Sequence, residues 1–533
     1  MKRQKTLCVL LAVLMLLSLL AGCGTGEESN KAATAEQSSD TRKAPEGSTA
    51  AAPRGDRPAG TPDGTAPEAP PDGTGGPGGN PPGPPPDGTG GPGGNPPGPP
   101  PDGNGGPGGN PPGPPPDGNG GPGGPGAGTE IDYTGATVIR SAETQSGKRY
   151  ESSTADKSAL LIETDDAVTV KDPTVTKTGD SDGRDSCSFY GLNAAVLVKD
   201  GAAASITGGT IRSDAEGANA VFCYGGNGGR NGAEGDGTTL VIRDTRIRTT
   251  GGGSGGVMTT GGGVTYAYDL DAETSGRSSA AIRTDRGGGQ VYVDGGSYVT
   301  NGLGSPAIYS TAEIRVENAS LISNLSEGVC IEGKNSIELT NCTLSANNRE
   351  RNSNACFLDS IMLYQSMSGD ADSGTSRFTM TGGSLTSKSG HVFHVTNTNA
   401  VIRLNGVAIT NEDAENILLS VCADGWSGSS NIAAMNAVAQ KLTGAIKVGD
   451  DSTLTLELRD GSDFTGSIDG SIVNAKGDTV STAPGTVSVT LDDSSTWTLS
   501  GDSWVTEFHG SAANVLANGH TLYVNGSALK GTR

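Results

Sequence analysis

From about residue 159 the chain repeats itself, and this repeat constrains the fold more than any other feature. One landmark is two apolar residues flanking any residue, with a third apolar residue five positions later. It appears at Val168-x-Val170 then Val175, Leu240-x-Ile242 then Ile247, Val291-x-Val293 then Tyr298, and Ile314-x-Val316 then Leu321. It recurs at Ile337-x-Leu339 then Leu344, Phe378-x-Met380 then Leu385, and Ile402-x-Leu404 then Ile409, with a weaker copy at Ile206 then Ile211. Gly, Asn, Asp and Ser fill the gap, so each copy reads as a short strand, a tight turn and another strand. A second landmark, a small residue before an apolar one, keeps step with the first. Its apolar member falls at Val196, Val221, Val257, Ile282, Ile308, Val329, Cys356, Val392 and Ile417.

Intervals of 21 to 27 residues between these positions, with two of 36, predict the rungs of a parallel β-helix. Rungs of that kind stack about 4.8 Å apart. The two long intervals place loop insertions at 225–238 and 366–376. Regular rungs run over about 159–420, residues 423–453 break the pattern, and C-terminal rungs with a cap fill 454–533. The β-helix domain is thus 131–533. One rung cannot bury its own inner face, so stacking must hold it together. Hydrophobic residues make up 33%, aromatics 4%, and there are 86 Gly, which suits a narrow core of small and β-branched side chains.

The first 22 residues read as an export signal. Lys2, Arg3 and Lys5 precede an apolar run from Leu7 to Leu20 that is too short for a comfortable membrane span. The run ends in Leu20-Ala21-Gly22-Cys23, which resembles the lipobox of bacterial lipoproteins. That resemblance implies cleavage before Cys23 and a diacylglyceryl group on its thiol, so the membrane is an expected partner and the cell surface the expected location. Net charge is −22, with 37 Lys+Arg against 59 Asp+Glu, which argues against nucleic acid as a partner. It also opposes binding to an anionic membrane surface, leaving attachment to the lipid.

Residues 23–130 hold nothing to bury. A Ser/Thr/Ala-rich stretch gives way to the repeat PPPDGTGGPGGNPPG, marked by Asp72, Asp87, Asp102 and Asp117, and such a composition predicts a disordered stalk. A collagen register is broken by Gly-Gly and Pro-Pro-Pro. Beyond Cys8 and Cys23, the six remaining cysteines lack paired spacing, so neither a metal cluster nor a disulfide framework is expected.

The repeat domain resembles the right-handed parallel β-helix superfamily with the pectin-lyase-like fold. It looks most like surface lipoproteins of Gram-positive gut anaerobes with Gly/Pro stalks. The segments Ser279–Gly289, Gly304–Ala312 and Tyr364–Asp372 carry the likeness, and Asn518–Val524 resembles the final rungs of adhesin-type β-helices. The resemblance implies an all-β solenoid, expected to be monomeric, and no residue roles. Gly390-His391-Val392 is the nearest approach to the Gly-His-Gly of polygalacturonases, and the Arg-x-Pro-x-x-Arg of pectate lyases is absent.

Counting from the second landmark sorts residues into columns. The next position gives Phe222, Arg283, Tyr309, Phe357 and Phe393, a column either covered by insertions or exposed as an apolar groove for a ligand. Three positions on lie Asp285, Glu332 and Asp359, the candidate catalytic acids. Adjacent rungs would set Glu332 and Asp359 roughly 5 Å apart, as in a retaining glycosidase. Arg283, Arg286 and Lys334 either bind an acidic sugar or neutralise these carboxylates. Asp180, Asp182 and Asp185 are candidate Ca²⁺ ligands, although they complete no known loop pattern. His391 and His394 differ by three on one strand, a spacing that does not set them on one face, and no Ser-His-Asp arrangement is legible. These readings together point to a non-catalytic adhesin or polysaccharide-binding protein meeting a glycan or a neighbouring cell surface. The competing expectation is a polysaccharide lyase or glycoside hydrolase.

Overall fold

In a strand, alternate side chains point to opposite faces, so a chain that winds in parallel rungs collects its apolar positions into continuous inner columns. The computed structural model describes residues 131–228, 234–366, 368–426 and 430–533, and these form a parallel β-helix with three faces. Among the described residues, sheet 1 has 13 strands, sheet 2 has 14 and sheet 3 has 10, each ordered by successive rungs. A four-stranded sheet beginning at Lys441–Thr443 extends the winding where sheet 3 ends. Signal, Cys23 and Gly/Pro repeat lie outside the described residues.

The first landmark forms the inner face of sheet 2. Val291, Ile314, Ile337, Phe378, Ile402, Met435, Leu456 and Val489 pair in unbroken register, and all are buried. The second landmark is the inner column of sheet 1 from Val196 through Val329. Beyond Val329 the count slips. Val329 pairs with Ile361, Ile361 with Phe393 and Phe393 with Leu419, so Cys356, Val392 and Ile417 are not the matching positions. Two causes account for this. Residues 347–358 form an additional insertion ahead of the strand Asp359–Tyr364. In the following rungs, Val392–Phe393 and Leu418–Leu419 each put two consecutive residues into the core, which interrupts the alternation.

The expected break over 423–453 is also revised. Asn431–Val438 is a regular strand of sheet 2, paired with Thr398–Asn405 on one side and Ser452–Arg459 on the other. The winding continues through it.

From the strand Glu143–Ser146 through Ser452–Arg459, the residue that follows each sheet 2 strand has positive φ. The column runs Gly147, Asp172, Gly208, Asp244, Asp269, Gly295, Asn318, Asn341, Gly382, Gly406, Ala439 and Asp460. Gly, Asn and Asp tolerate this left-handed conformation, and only Ala439 departs from that set. The next residue is small at Gly209, Gly296, Ala319, Cys342 and Gly383 and larger at Leu270, Val407 and Gln440. Cys342 is fully buried, and a Cβ on Gly383 would lie 2.0 Å from the Cys342 carbonyl oxygen.

Candidate functional site

The outer column of sheet 1 runs Leu161, Leu197, Phe222, Met258, Arg283, Tyr309, Cys330, Met362, His394 and Ser420. Its first four members are apolar, and a lid of chain covers them. The helix Asp185–Tyr190 ends at Gly191 (φ 78°), where an added Cβ would sit 2.8 Å from the Phe222 ring. Phe222 is 0% exposed, so this stretch is an interior and not a binding groove. Phe357 and Phe393 leave the column altogether. Phe393 turns into the core 6.0 Å from Phe378, and Phe357 belongs to the 347–358 insertion.

Past Met258 the column mixes polar and apolar members, and beside Tyr309, Cys330 and Met362 lies a cleft of about 450 Å³. Tyr309, Cys330 and Met362 form its floor. Glu332, Tyr364, Ser366, Ser368 and Asp370 make one wall, and Glu327, residues 352–355 and Trp426 the other. Tyr364 and Trp426 rings lie 5.0 Å apart.

Glu332 organises the first wall. Its carboxylate accepts hydrogen bonds from the hydroxyls of Tyr309, Tyr364 (3.2 Å), Ser366 and Ser368 (3.3 Å). Burial, and then the neighbouring Glu332 charge, push both tyrosine pKa values well above the usual range, so both phenols remain donors. Burial also raises the Cys330 thiol, with Glu327, Asp359 and Glu332 adding to the effect, so it stays protonated.

The expected Glu332–Asp359 pair does not form. Glu332 is level with Tyr364, whereas Asp359 opens the same strand five residues earlier, level with His391. Asp359 instead feels Glu327 and Asp424. Burial first, then these two charges, raise its pKa well above the usual carboxylate range, and its Oδ1 is buried without a hydrogen-bond partner. Asp285 ion-pairs with Arg283 through Oδ2; burial, opposed by Arg283 and reinforced by Asp370, raises its pKa to about 6.

The three cations of this region are all engaged. Arg283 holds Asp285, Arg286 holds Asp370 at 2.6 Å and Lys334 holds Asp372 at 2.9 Å, so each binds a carboxylate of the protein itself. Arg286 also lies 4.2 Å over the Phe189 ring, which pins the 366–376 insertion against the helix-bearing lid. Asp180 uses Oδ1 to accept the Glu216 N–H at 2.9 Å, and Asp185 opens the short helix. Among the described residues, no three His, Cys, Asp or Glu side chains converge to hold a metal.

One arrangement was not legible in the sequence. Because Val392 and Phe393 both turn inward, His391 and His394 flank them on the outer side. Both Nδ1 atoms lie 2.7 Å from Ser420 Oγ, and His394 Nε2 lies 3.3 Å from Asp424 Oδ2. Asp424 Oδ1 accepts the backbone N–H groups of Cys356 (2.6 Å) and Gly425 (2.5 Å). Burial raises the Asp424 carboxyl, but His394 and these two N–H groups outweigh it and leave the pKa below the usual value. The available signal was rung register: His394 and Ser420 are 26 residues apart and pair directly between adjacent rungs.

No family model, curated protein or solved structure matches this chain.

Proposed function

We propose that this is a lipid-anchored surface protein of the lipobox type whose β-helix binds a glycan, on a polymer or a neighbouring cell, in the cleft over Tyr309, Cys330 and Met362. The observation that carries this reading is the composition of the cleft. Aromatic rings at Tyr309, Tyr364 and Trp426 stand beside an array of hydroxyls and carboxylates on Glu332, Ser366, Ser368 and Glu327. Sugar rings present apolar C–H faces edged by hydroxyl groups, and such a surface meets both needs. The charge balance selects among sugars. Arg283, Arg286 and Lys334 are engaged by Asp285, Asp370 and Asp372, while Glu327 and Glu332 face the cleft, so neutral or basic sugars fit better than uronic acids.

The test uses the full chain carrying Cys23→Ser, so that it is soluble without its lipid. Titration calorimetry against neutral, amino-sugar and uronic-acid oligosaccharides should give binding for the first two classes. Trp426→Ala should weaken it about tenfold, the loss of one stacking contact. Preference for uronic acids, or unchanged affinity in Trp426→Ala, would remove the cleft from the reading. Release of reducing ends or unsaturated products would replace binding by hydrolysis or elimination.

A further inference from the structure

Along the outer column of sheet 1, one rung beyond Met362, Phe357 lies against His394. Its ring centroid is 4.6 Å from that of His394 and 5.5 Å from that of His391. Beside it Ser420 and His394 are 0% exposed, and the Asp424 side chain is likewise buried. On the far side of Phe357 a second, small cavity of about 130 Å³ is lined by Phe357, Leu358, Gly390, His391, Asp413 and Glu415 among others. His391 lines that cavity, and Ser420 Oγ is one hydrogen bond behind it. The Phe357 ring and the His391 imidazole therefore separate the serine from this small cavity.

The hydrogen-bond order follows from the carboxylate. His394 Nε2 and Asp424 Oδ2 lie 3.3 Å apart as a charge contact outside hydrogen-bond geometry, and neither atom has another partner; a proton on Nε2 faces that carboxylate and leaves His394 Nδ1 as the acceptor for the Ser420 hydroxyl. The Ser420 oxygen then accepts from the Nδ1–H of His391. Burial, with His394 and Lys447 nearby, lowers the His391 pKa to about 3 against the pull of Asp424, so His391 stays a neutral N–H donor. Ser420 thus has a base on one side and a donor on the other.

We propose that Ser420, His394 and Asp424 form a covered serine-hydrolase centre, reached from the cavity beside His391 when Phe357 swings aside, that cleaves a short-chain carboxylic ester. Ser420 Oγ attacks the acyl carbon while its proton passes to His394 Nδ1. The carbonyl oxygen becomes an oxyanion within reach of the His391 N–H, which takes the role of an oxyanion donor. The carbon–alkoxy bond breaks and the departing oxygen takes the proton from His394. Water then attacks the acyl-serine, gives its proton to His394, and the carboxylic acid leaves with Ser420 regenerated. Asp424 is a positioning residue that holds the tautomer. A cavity of about 130 Å³ suits an acetyl-sized group, and Asp413 and Glu415 on its wall disfavour a negatively charged acyl chain. That the alcohol part is a sugar rests on the glycan reading above; the hydrolytic centre does not.

The experiment treats the Cys23→Ser full chain with a biotinylated fluorophosphonate and maps the adduct by peptide mass spectrometry. An adduct on Ser420 is expected, absent in Ser420→Ala and His394→Ala, and formed at least tenfold faster in Phe357→Ala. Hydrolysis of p-nitrophenyl acetate should follow the same order. In Asp424→Asn the acid limb of its pH–rate profile should move to lower pH, which a purely structural carboxylate would not produce. If Phe357→Ala melts abnormally by circular dichroism, Phe357→Leu replaces it. No adduct on Ser420 in either the parent or a folded Phe357 variant overturns the proposal and leaves the four side chains as a buried polar network. Ester cleavage without glycan binding would keep this centre and discard the glycan reading, whereas glycan binding without labelling would do the reverse.

Discussion

Asp359 shows how much turns on one residue's register. Counting from Cys356 set it beside Glu332, but the chain between residues 347 and 358 is an insertion, and the strand begins only at Asp359 itself. Nothing in that stretch distinguishes an insertion from a rung, because both are rich in Asn and Ser. Phe357 was displaced for the same reason, and Phe393 because a doubled inward pair has no signature distinct from ordinary alternation. The residues that were placed correctly, such as Phe222, Arg283 and Tyr309, lie before the first slip. The true position of Asp359 has a measurable consequence. An unfolded Asp titrates near pH 3.9, while burial, Glu327 and Asp424 hold the proton on folded Asp359 to higher pH. Between those values the folded state binds more protons than the unfolded one, so the contribution of this residue to stability falls as pH rises. Asp359→Asn removes that loss. Its denaturation midpoint should match the parent at about pH 3.5 and exceed it at about pH 7. An equal gap at both pH values would show that Asp359 keeps no proton in the folded state.

At the scale of the element, the sequence was far more legible, because a rung is built from a pattern repeated many times. The pair of apolar residues two apart and the third five further on became the inner faces of sheets 2 and 3, and the gap became a corner. What the pattern did not reveal was that a single position does the turning. From Gly147 to Asp460 that position takes positive φ in every rung, and Ala439, at φ 48°, is the one member with an unfavourable side chain. An L-residue with a Cβ is strained there, and Ala439 is exposed, so little packing compensates. Ala439→Gly should therefore stabilise the domain by about 1 kcal/mol despite the greater freedom of the unfolded chain. The converse substitution is Gly406→Ala, at φ 62°, where an added Cβ meets nothing within 4 Å. It should destabilise by a similar amount through backbone strain alone. Urea denaturation of the two variants checks both signs; a loss in Ala439→Gly would mean that chain entropy outweighs the strain.

For the whole molecule, the proposed lipid attachment and the proposed glycan cleft belong to different physical regimes. The net charge of −22 opposes binding to an anionic bilayer, and among the described residues no helix is long and apolar enough to cross one. The lipobox resemblance puts a lipid on the Cys23 thiol, an attachment that this charge does not weaken. A diacylglyceryl group offers two chains, enough for stable anchoring at about 0.8 kcal/mol per buried methylene. This makes a prediction that separates lipid from charge. The parent protein expressed in a bacterium should sediment with membranes and remain there in 1 M salt, because screening weakens repulsion and leaves the hydrophobic term intact. Cys23→Ser should move it to the soluble fraction at every salt concentration. Release of the parent by salt would mean that a basic patch or a protein partner does the holding, and retention of Cys23→Ser would show an attachment independent of the thiol. The proposed glycan binding should be equal in the soluble variant, since the cleft residues Tyr309 and Glu332 are placed by the stacking of rungs and not by the anchor.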